Sequence, residues 1–395
     1  MIEYDVLIIG AGPGGSMAAR YAAKNGMKVL VVEKRSDIGC PVRCGEGLSK
    51  NWADKIGIQP GSKCIANEVI GAKIISPDEK SEVILDAEKA GAEVGYVIDR
   101  DKFDKYLAGK AADEGAEIWM KSPAIELIKE NDKIVGAVVR KLGHNIDVKA
   151  KIIIGADGFE SQIGRWAGIN TALKEKDMVT CIQYRLAGVD VDSQYNSFYI
   201  GSSSPAGYIW VFPKSKNEAN VGIGISLNVV KKPGDVKKYL DEFIEKHPEL
   251  NKGTPIQIVS GGVSACKPLK SVTLDNFMLI GDSARMIDPI TGGGIGTACM
   301  SGRYAGEVAA EAIKSGDTSK EFLQKYEKLW RDDFETKLLR NWYVKEKFVQ
   351  LDDDTLNKLM DAISSVKMEE ISILSILKAV QEKYPSLVEE LEDFI

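Results

Sequence analysis

The sequence predicts an α/β chain in which a Rossmann-like nucleotide-binding domain is split into separate segments. A β-rich domain is inserted between those segments, and a helical region follows at the C-terminal end. Three observations predict this. The first 35 residues run strand, glycines, helix, strand and acid in that order. Buried apolar strands with glycine–aspartate ends return at 151–158 and 277–282. The stretches between, 65–97 and 176–265, are mostly short alternating runs bounded by turn residues, whereas residues 318–395 read as almost wholly helical.

The N-terminal unit carries the most information. Residues 5–9 form a short β-run, and Gly10, Gly12 and Gly15 fit G-x-G-x-x-G, with Gly14 beside the last. Residues 16–25 present Met17, Ala18, Ala19, Ala22 and Ala23, a small-residue helix face suited to close packing on a sheet. Gly26 can end that helix in the left-handed conformation, and residues 28–32 form the next strand. The glycines serve a tight turn, close backbone approach to a pyrophosphate and close helix–strand packing, with the phosphate at the helix N-terminus. Glu33 stands where a carboxylate takes ribose hydroxyls. Together these predict a dinucleotide site, against the plainer alternative of a structural βαβ unit.

Composition bounds the rest. At 395 residues the chain exceeds one ordinary core. A hydrophobic content of 44% with 28% charged residues describes a soluble globular protein. A formal charge of −6 gives no reason to expect a nucleic-acid partner. The six cysteines are too scattered for a disulfide scaffold, and with only two histidines no metal site is expected. The chain enters its first strand with no export signal, and no apolar stretch approaches the ~20 residues that span a bilayer. The expectation is a cytoplasmic protein, with peripheral contact at a membrane surface left open.

Along the chain, residues 69–75 and 82–85 read as a β-ribbon and 99–115 as a helix, with Phe103, Leu107 and Ala111 at helical spacing. Residues 118–128, 134–140 and 146–151 are alternating runs, with a turn at 142–145, and 151–158 is a buried strand with a sharp end. Five further strands are expected at 180–186, 197–200, 208–213, 219–225 and 256–262, interrupted by a helix at 235–246. A short strand at 277–282 and a small-residue helix at 292–314 complete the nucleotide segments.

Three fragments sharpen the cofactor. Asp157-Gly158 follows a buried strand, where amides and a carboxylate could meet a pyrophosphate or order its waters. Asp282, in Gly281-Asp282-Ser283-Ala284, could hydrogen-bond the ribityl chain of a flavin. The glycines of 292–296 open a helix whose amides can face an electron-rich ring edge. Each has a plainer reading as turn former, N-cap or tight packing. At these residues the chain resembles the FAD-dependent superfamily that includes p-hydroxybenzoate hydroxylase. The resemblance implies that Gly10, Gly12, Gly14, Gly15, Glu33 and Lys34 hold the ADP half of FAD and that Arg100 approaches the flavin. It further implies that Ala124 touches the adenine through its backbone, and that Asp282, Gly294 and Ile295 hold the ribityl and ring parts.

Residues 205–213 read P-x-x-Y-x-W-x-F-P, which resembles the signature of geranylgeranyl reductases. In a strand, Tyr208, Trp210 and Phe212 project to one face and make a flat apolar wall suited to an isoprenoid chain. The alternative is a core strand under a helix. The resemblance also suggests backbone contacts to the flavin from Cys44, Gly45 and Gly47. Cys40 and Cys44 read as a redox pair, as a proton donor near the flavin, or as two buried thiols. The three intervening residues, and the lack of a second G-x-G-x-x-G after a strand, argue against a disulfide reductase.

The implied domains are an FAD-binding domain from 1–64, 98–175 and 266–330, a β-rich substrate domain from 65–97 and 176–265, and a helical region at 331–395. The implied activity is saturation of geranylgeranyl chains, in the archaeal setting on digeranylgeranylglycerol phospholipids, by hydride transfer from reduced flavin. Tyr208, Cys44 and a flavin-bound water are candidate proton donors. With no nicotinamide domain, electrons would come from an external reduced ferredoxin-like carrier or from transiently bound NAD(P)H. The rivals are an FAD-dependent monooxygenase of the hydroxybenzoate hydroxylase type and a flavin electron carrier or lipid-binding protein. The apolar face of 368–380 is expected to pack on the body or cap a lipid tunnel, and the acidic 388–395 end to be solvated.

Overall fold

The computed structural model describes residues 2–86, 95–364, 378 and 380–385. The expected apolar face at 368–380 falls almost wholly outside the described residues, as does the acidic end at 388–395. The chain divides into two compact units. The first comprises Met1–Val42, Arg100–Leu173 and Ser264–Trp342; the second comprises the described residues of Arg43–Asp99, Lys174–Val263 and Tyr343–Ile395.

The first unit is built on a mainly parallel sheet. Its strands run Thr273–Leu274, Phe277–Leu279, His144–Gly155, Ile2–Ile9, Val29–Val32 and Glu117–Trp119, with Lys133–Lys141 and Ala124–Glu130 continuing from His144–Gly155. Ile2–Ile9 lies between His144–Gly155 and Val29–Val32, parallel to both, and its last four residues are buried. That is why the run loses its alternation: a central parallel strand is covered on both faces. His144–Gly155 is one strand where the sequence suggests two. Its first half alternates while pairing antiparallel with Lys133–Lys141, and its second half is buried between Ile2–Ile9 and Phe277–Leu279. The helix Pro13–Lys24 packs against Ile295–Ser315. A Cβ on Gly302 would stand 2.1 Å from the Gly14 carbonyl oxygen, and one on Gly306 2.4 Å from that of Ala18.

The second unit carries a seven-stranded sheet in the order Thr254–Ser264, Met178–Ala187, Glu218–Ser226, Tyr208–Ser215, Tyr195–Tyr199, Gly71–Ile75 and Glu82–Asp86. The amphipathic helix Asp235–Lys246 covers one face, burying Leu240 and Phe243 with Ile209, Val211, Val221 and Ile223. Trp210 and Phe212 cluster instead with Val69 and Val97. Gly47–Ser49, Gly95–Ile98 and Ile65–Glu68 form a three-stranded sheet. The C-terminal helical expectation divides into Lys320–Trp330, a π-helical stretch Arg331–Glu335, Thr336–Phe348 and Asp353–Ser364.

Candidate functional site: a nucleotide recess and an aromatic platform

In the first unit, Gly12 caps the Pro13–Lys24 helix with Pro13 in its first turn and no side-chain cap. The remaining first-turn amides are left for an outside acceptor. The glycines differ in why they are glycine. Gly10 has φ +111°, and a Cβ there would stand 2.3 Å from the Ala156 carbonyl oxygen; one on Gly15 would stand 1.9 Å from that of Gly10. A Cβ on Gly14 would press on the Ala298 carbonyl oxygen at 3.0 Å. On Gly12 it would meet no protein atom within 4 Å. The fold itself requires Gly10 and Gly15, whereas Gly12 borders space that the protein does not fill.

Glu33 accepts the Ala11 amide at 2.9 Å and the Arg35 amide at 2.8 Å, one on each carboxylate oxygen. Each oxygen keeps a further lone pair for a ribose hydroxyl. Lys34 is exposed and lies 3.5 Å from Glu160. The backbone of Glu33 takes the Ser122 amide at 2.8 Å, which brings the start of Ala124–Glu130 beside this strand end.

Asp157 and Asp282 line the same unit. Asp157 accepts the Ile163 amide at 2.9 Å through Oδ2, while its buried Oδ1 has no partner, and burial raises its carboxyl above the usual value. Burial also pushes Asp282 up to about 6, against the pull of Arg100 and Arg285. Asp282 nevertheless keeps accessible surface. Gly294 caps the 21-residue Ile295–Ser315 helix without a side-chain cap, and a Cβ there would stand 3.1 Å from Asp282 Oδ1. Ile295 is buried behind it. Arg100 forks onto Asp104 with bonds of 2.7 and 2.9 Å.

The second unit brings the 44–47 loop against the aromatic run. Tyr208 is partly exposed, whereas Trp210 and Phe212 are only 7% and 8% accessible. Phe198 on the neighbouring strand packs edge-on to Tyr208 at 5.4 Å and to Phe212 at 5.3 Å, and Tyr208 to Trp210 at 5.9 Å, so these rings form one platform. The loop lies on it. A Cβ on Gly45 would stand 3.0 Å from the Phe212 ring and 3.4 Å from Trp210 Nε1, and one on Gly47 3.3 Å from Phe212. Gln183 ties the two together: it accepts from Trp210 Nε1 at 2.8 Å and donates to the Cys44 carbonyl at 3.1 Å. The Cys44 sulfur accepts the Glu46 amide at 3.2 Å. All six cysteines are unbridged, and burial raises the neighbouring Cys181 thiol to about 12. Among the described residues no cluster suited to a metal ion occurs.

Sequence reasoning missed the charges beneath this loop. Lys214 Nζ lies 2.7 Å from both Glu46 Oε2 and Asp99 Oδ1 and donates to the Ile98 carbonyl at 2.9 Å. Asn220 donates to Glu46 Oε2 at 2.7 Å and to the Gly45 carbonyl at 3.2 Å. The available signal was Lys214 and Asn220 standing within a strongly apolar pair of strands, where each needs a partner. Elsewhere in the second unit, a cleft of about 430 Å³ is lined by Arg43, Met178, Val179, Thr180, Leu227 and residues 260–262.

Comparison with known proteins matches segments of both units. The family model of the geranylgeranyl reductase catalytic domain matches residues 177–263, and an NAD(P)-binding Rossmann-like model matches residues 8–46. A solved structure from Thermoplasma acidophilum, described as geranylgeranyl bacteriochlorophyll reductase-like, aligns over 100% of both chains with TM-score 0.93 and 56% identity. A myxobacterial FAD-dependent halogenase shares the fold at 17% identity, with TM-score 0.71 over 97% of both chains. Proteins named digeranylgeranylglycerophospholipid reductase are 56% identical in Thermoplasma acidophilum over 100% of both chains, and 43% identical in Methanothrix thermoacetophila over 99% of both. With identity of that level along its whole length, the chain belongs to the digeranylgeranylglycerophospholipid reductase family.

Proposed function

We propose that the protein binds FAD and uses it to saturate the double bonds of geranylgeranyl chains on archaeal diether phospholipids. The observations that carry the cofactor lie in the first unit: a glycine turn open at Gly12, an orphaned buried oxygen on Asp157, and a carboxyl on Asp282 raised by burial to about 6. These fit a ligand with a pyrophosphate and a polyhydroxyl chain. Gly10, Gly12, Gly14, Gly15, Glu33, Lys34 and Ala124 are the proposed contacts of the ADP half. Arg100, Asp157, Asp282, Gly294 and Ile295 are those of the remainder, and Cys44, Gly45 and Gly47 those of the second unit.

Bound and reduced, the flavin supplies hydride. An isolated alkene accepts hydride poorly, so the protein must deliver a proton or stabilise developing positive charge. The Tyr208 ring can do the second as the accessible part of the platform, and its hydroxyl or the Cys44 thiol is the proposed proton source. Trp210 and Phe212 support that surface from beneath. Electrons are proposed to arrive from an external donor. No helix among the described residues is long and apolar enough to cross a membrane. Access to the lipid is proposed through peripheral contact with a membrane surface, favoured by the exposed Ile256 and Ile258 on an edge strand. The test is an anaerobic reaction of the reduced holoprotein with a geranylgeranyl lipid, followed by mass analysis of that lipid. Comparing Tyr208→Phe with Cys44→Ser in the same assay assigns the proton donor.

A further inference from the structure

Glu46 holds a conformation its side chain does not favour. It has φ +73° between Gly45 and Gly47, in the left-handed region that glycine enters freely and other residues rarely do. Its residue is 3% exposed. A strained and buried acid in a glycine-rich loop persists only where its surroundings over-determine it. Those surroundings are visible. Lys214 and Asn220 each reach Oε2 at 2.7 Å, and the Glu46 carbonyl accepts the Ile98 amide at 2.9 Å. The Lys214 and Glu46 side chains are 2% and 4% exposed, so water does not compete for either charge.

We propose that Glu46 is a positioning residue whose carboxylate, clamped by Lys214 and Asn220, sets the conformation of the 44–47 loop. Asn220 extends the clamp by also holding the Gly45 carbonyl, and Gln183 holds that of Cys44. Three successive residues of the loop are thereby fixed from the platform side. Their opposite side is left for the ring contacts proposed above, and the inference rests on that reading. Lys214 bridges Glu46 to Asp99, so the same cation ties the loop to the residue that directly precedes Arg100.

Glu46→Gly separates this role from ordinary stability. Glycine accepts the left-handed conformation, Lys214 keeps Asp99 and the Ile98 carbonyl, and Asn220 keeps the Gly45 carbonyl. The variant should therefore fold and melt near the wild-type temperature. Its loop, freed of the clamp, should alter the visible absorption bands of bound flavin. Its maximal rate of lipid-driven flavin reoxidation should fall by about tenfold or more, with KM changed by less than about threefold, because small misplacements cost rate. Glu46→Gln can still accept from Lys214 and Asn220, and should restore the bands and most of the rate. Wild-type bands and rate in Glu46→Gly would overturn the proposal. So would a fall in melting temperature with the flavin bands unchanged. If wild-type protein fails to reduce the lipid, the substrate reading fails alone, because the flavin bands of the three proteins still test the clamp.

Discussion

At Gly12 the protein leaves room that a side chain could enter without touching the fold. Gly12→Val should therefore yield a folded protein that retains no FAD, because the branched side chain occupies the place of the pyrophosphate. Circular dichroism and flavin content of one preparation check this; a yellow Gly12→Val protein would contradict it. Asp282 is the second residue of this site whose role can be read directly. Its folded carboxyl titrates at about 6, above the usual 3.8. An acid raised in this way supports the fold fully below its unfolded value and loses that support as pH climbs through the folded one. FAD-free Asp282→Asn cannot ionise, so above pH ~6 it should exceed the wild type in stability by on the order of 2 kcal/mol, the gap closing below pH ~4. Denaturant melts of the two apoproteins across that range measure it. The same variant should bind FAD more weakly by about 1.5–3 kcal/mol, having lost a charge-assisted hydrogen bond, and unchanged affinity would remove Asp282 from the site.

The strand Tyr208–Ser215 shows what an element can reveal in sequence and what it cannot. Period-2 spacing is enough to put Tyr208, Trp210 and Phe212 on one face, and the ring contacts through Phe198 bear that out. Which ring is reachable is a matter of the loop above them, and nothing in the strand encodes it. Trp210→Ala should thus act through packing, costing about 3–5 kcal/mol of stability with its bond to Gln183 lost. Tyr208→Ala removes a partly exposed ring, and should lower lipid turnover with a much smaller thermal shift. Melting temperature and turnover of the pair decide this, and the reverse ranking would refute the division of roles. The helix Asp235–Lys246 is legible to the residue because its apolar stripe and its ends are local features. The single strand His144–Gly155 is not, since its change of pattern reflects new neighbours from distant segments. The Glu46–Lys214 clamp joins positions far apart in the chain. A lone acid between glycines gives no sign of its partner.

On the scale of the whole molecule, the interleaving of nucleotide-type and β-rich segments is readable because each nucleotide segment ends in its own glycine–acid signature. The compact units differ in detail from the segments drawn on the sequence. Arg43–Asp99 belongs as a block to the second unit, where the 44–47 loop is packed on the aromatic platform. Cysteine and glycine spacing alone could not assign it, because only the ring contacts of Gly45 and Gly47 with Phe212 decide its side. Under the proposed function, the protein couples flavin chemistry to the recognition of an isoprenoid chain. The measurement that tests it most directly is an anaerobic titration of dithionite-reduced, FAD-loaded protein with a digeranylgeranylglycerol phospholipid, followed by absorbance and by mass spectrometry of the lipid. The flavin should return to its oxidised spectrum as the lipid gains pairs of hydrogens in equal amount. A flavin that stays reduced until oxygen is admitted, with the lipid mass unchanged, would contradict it.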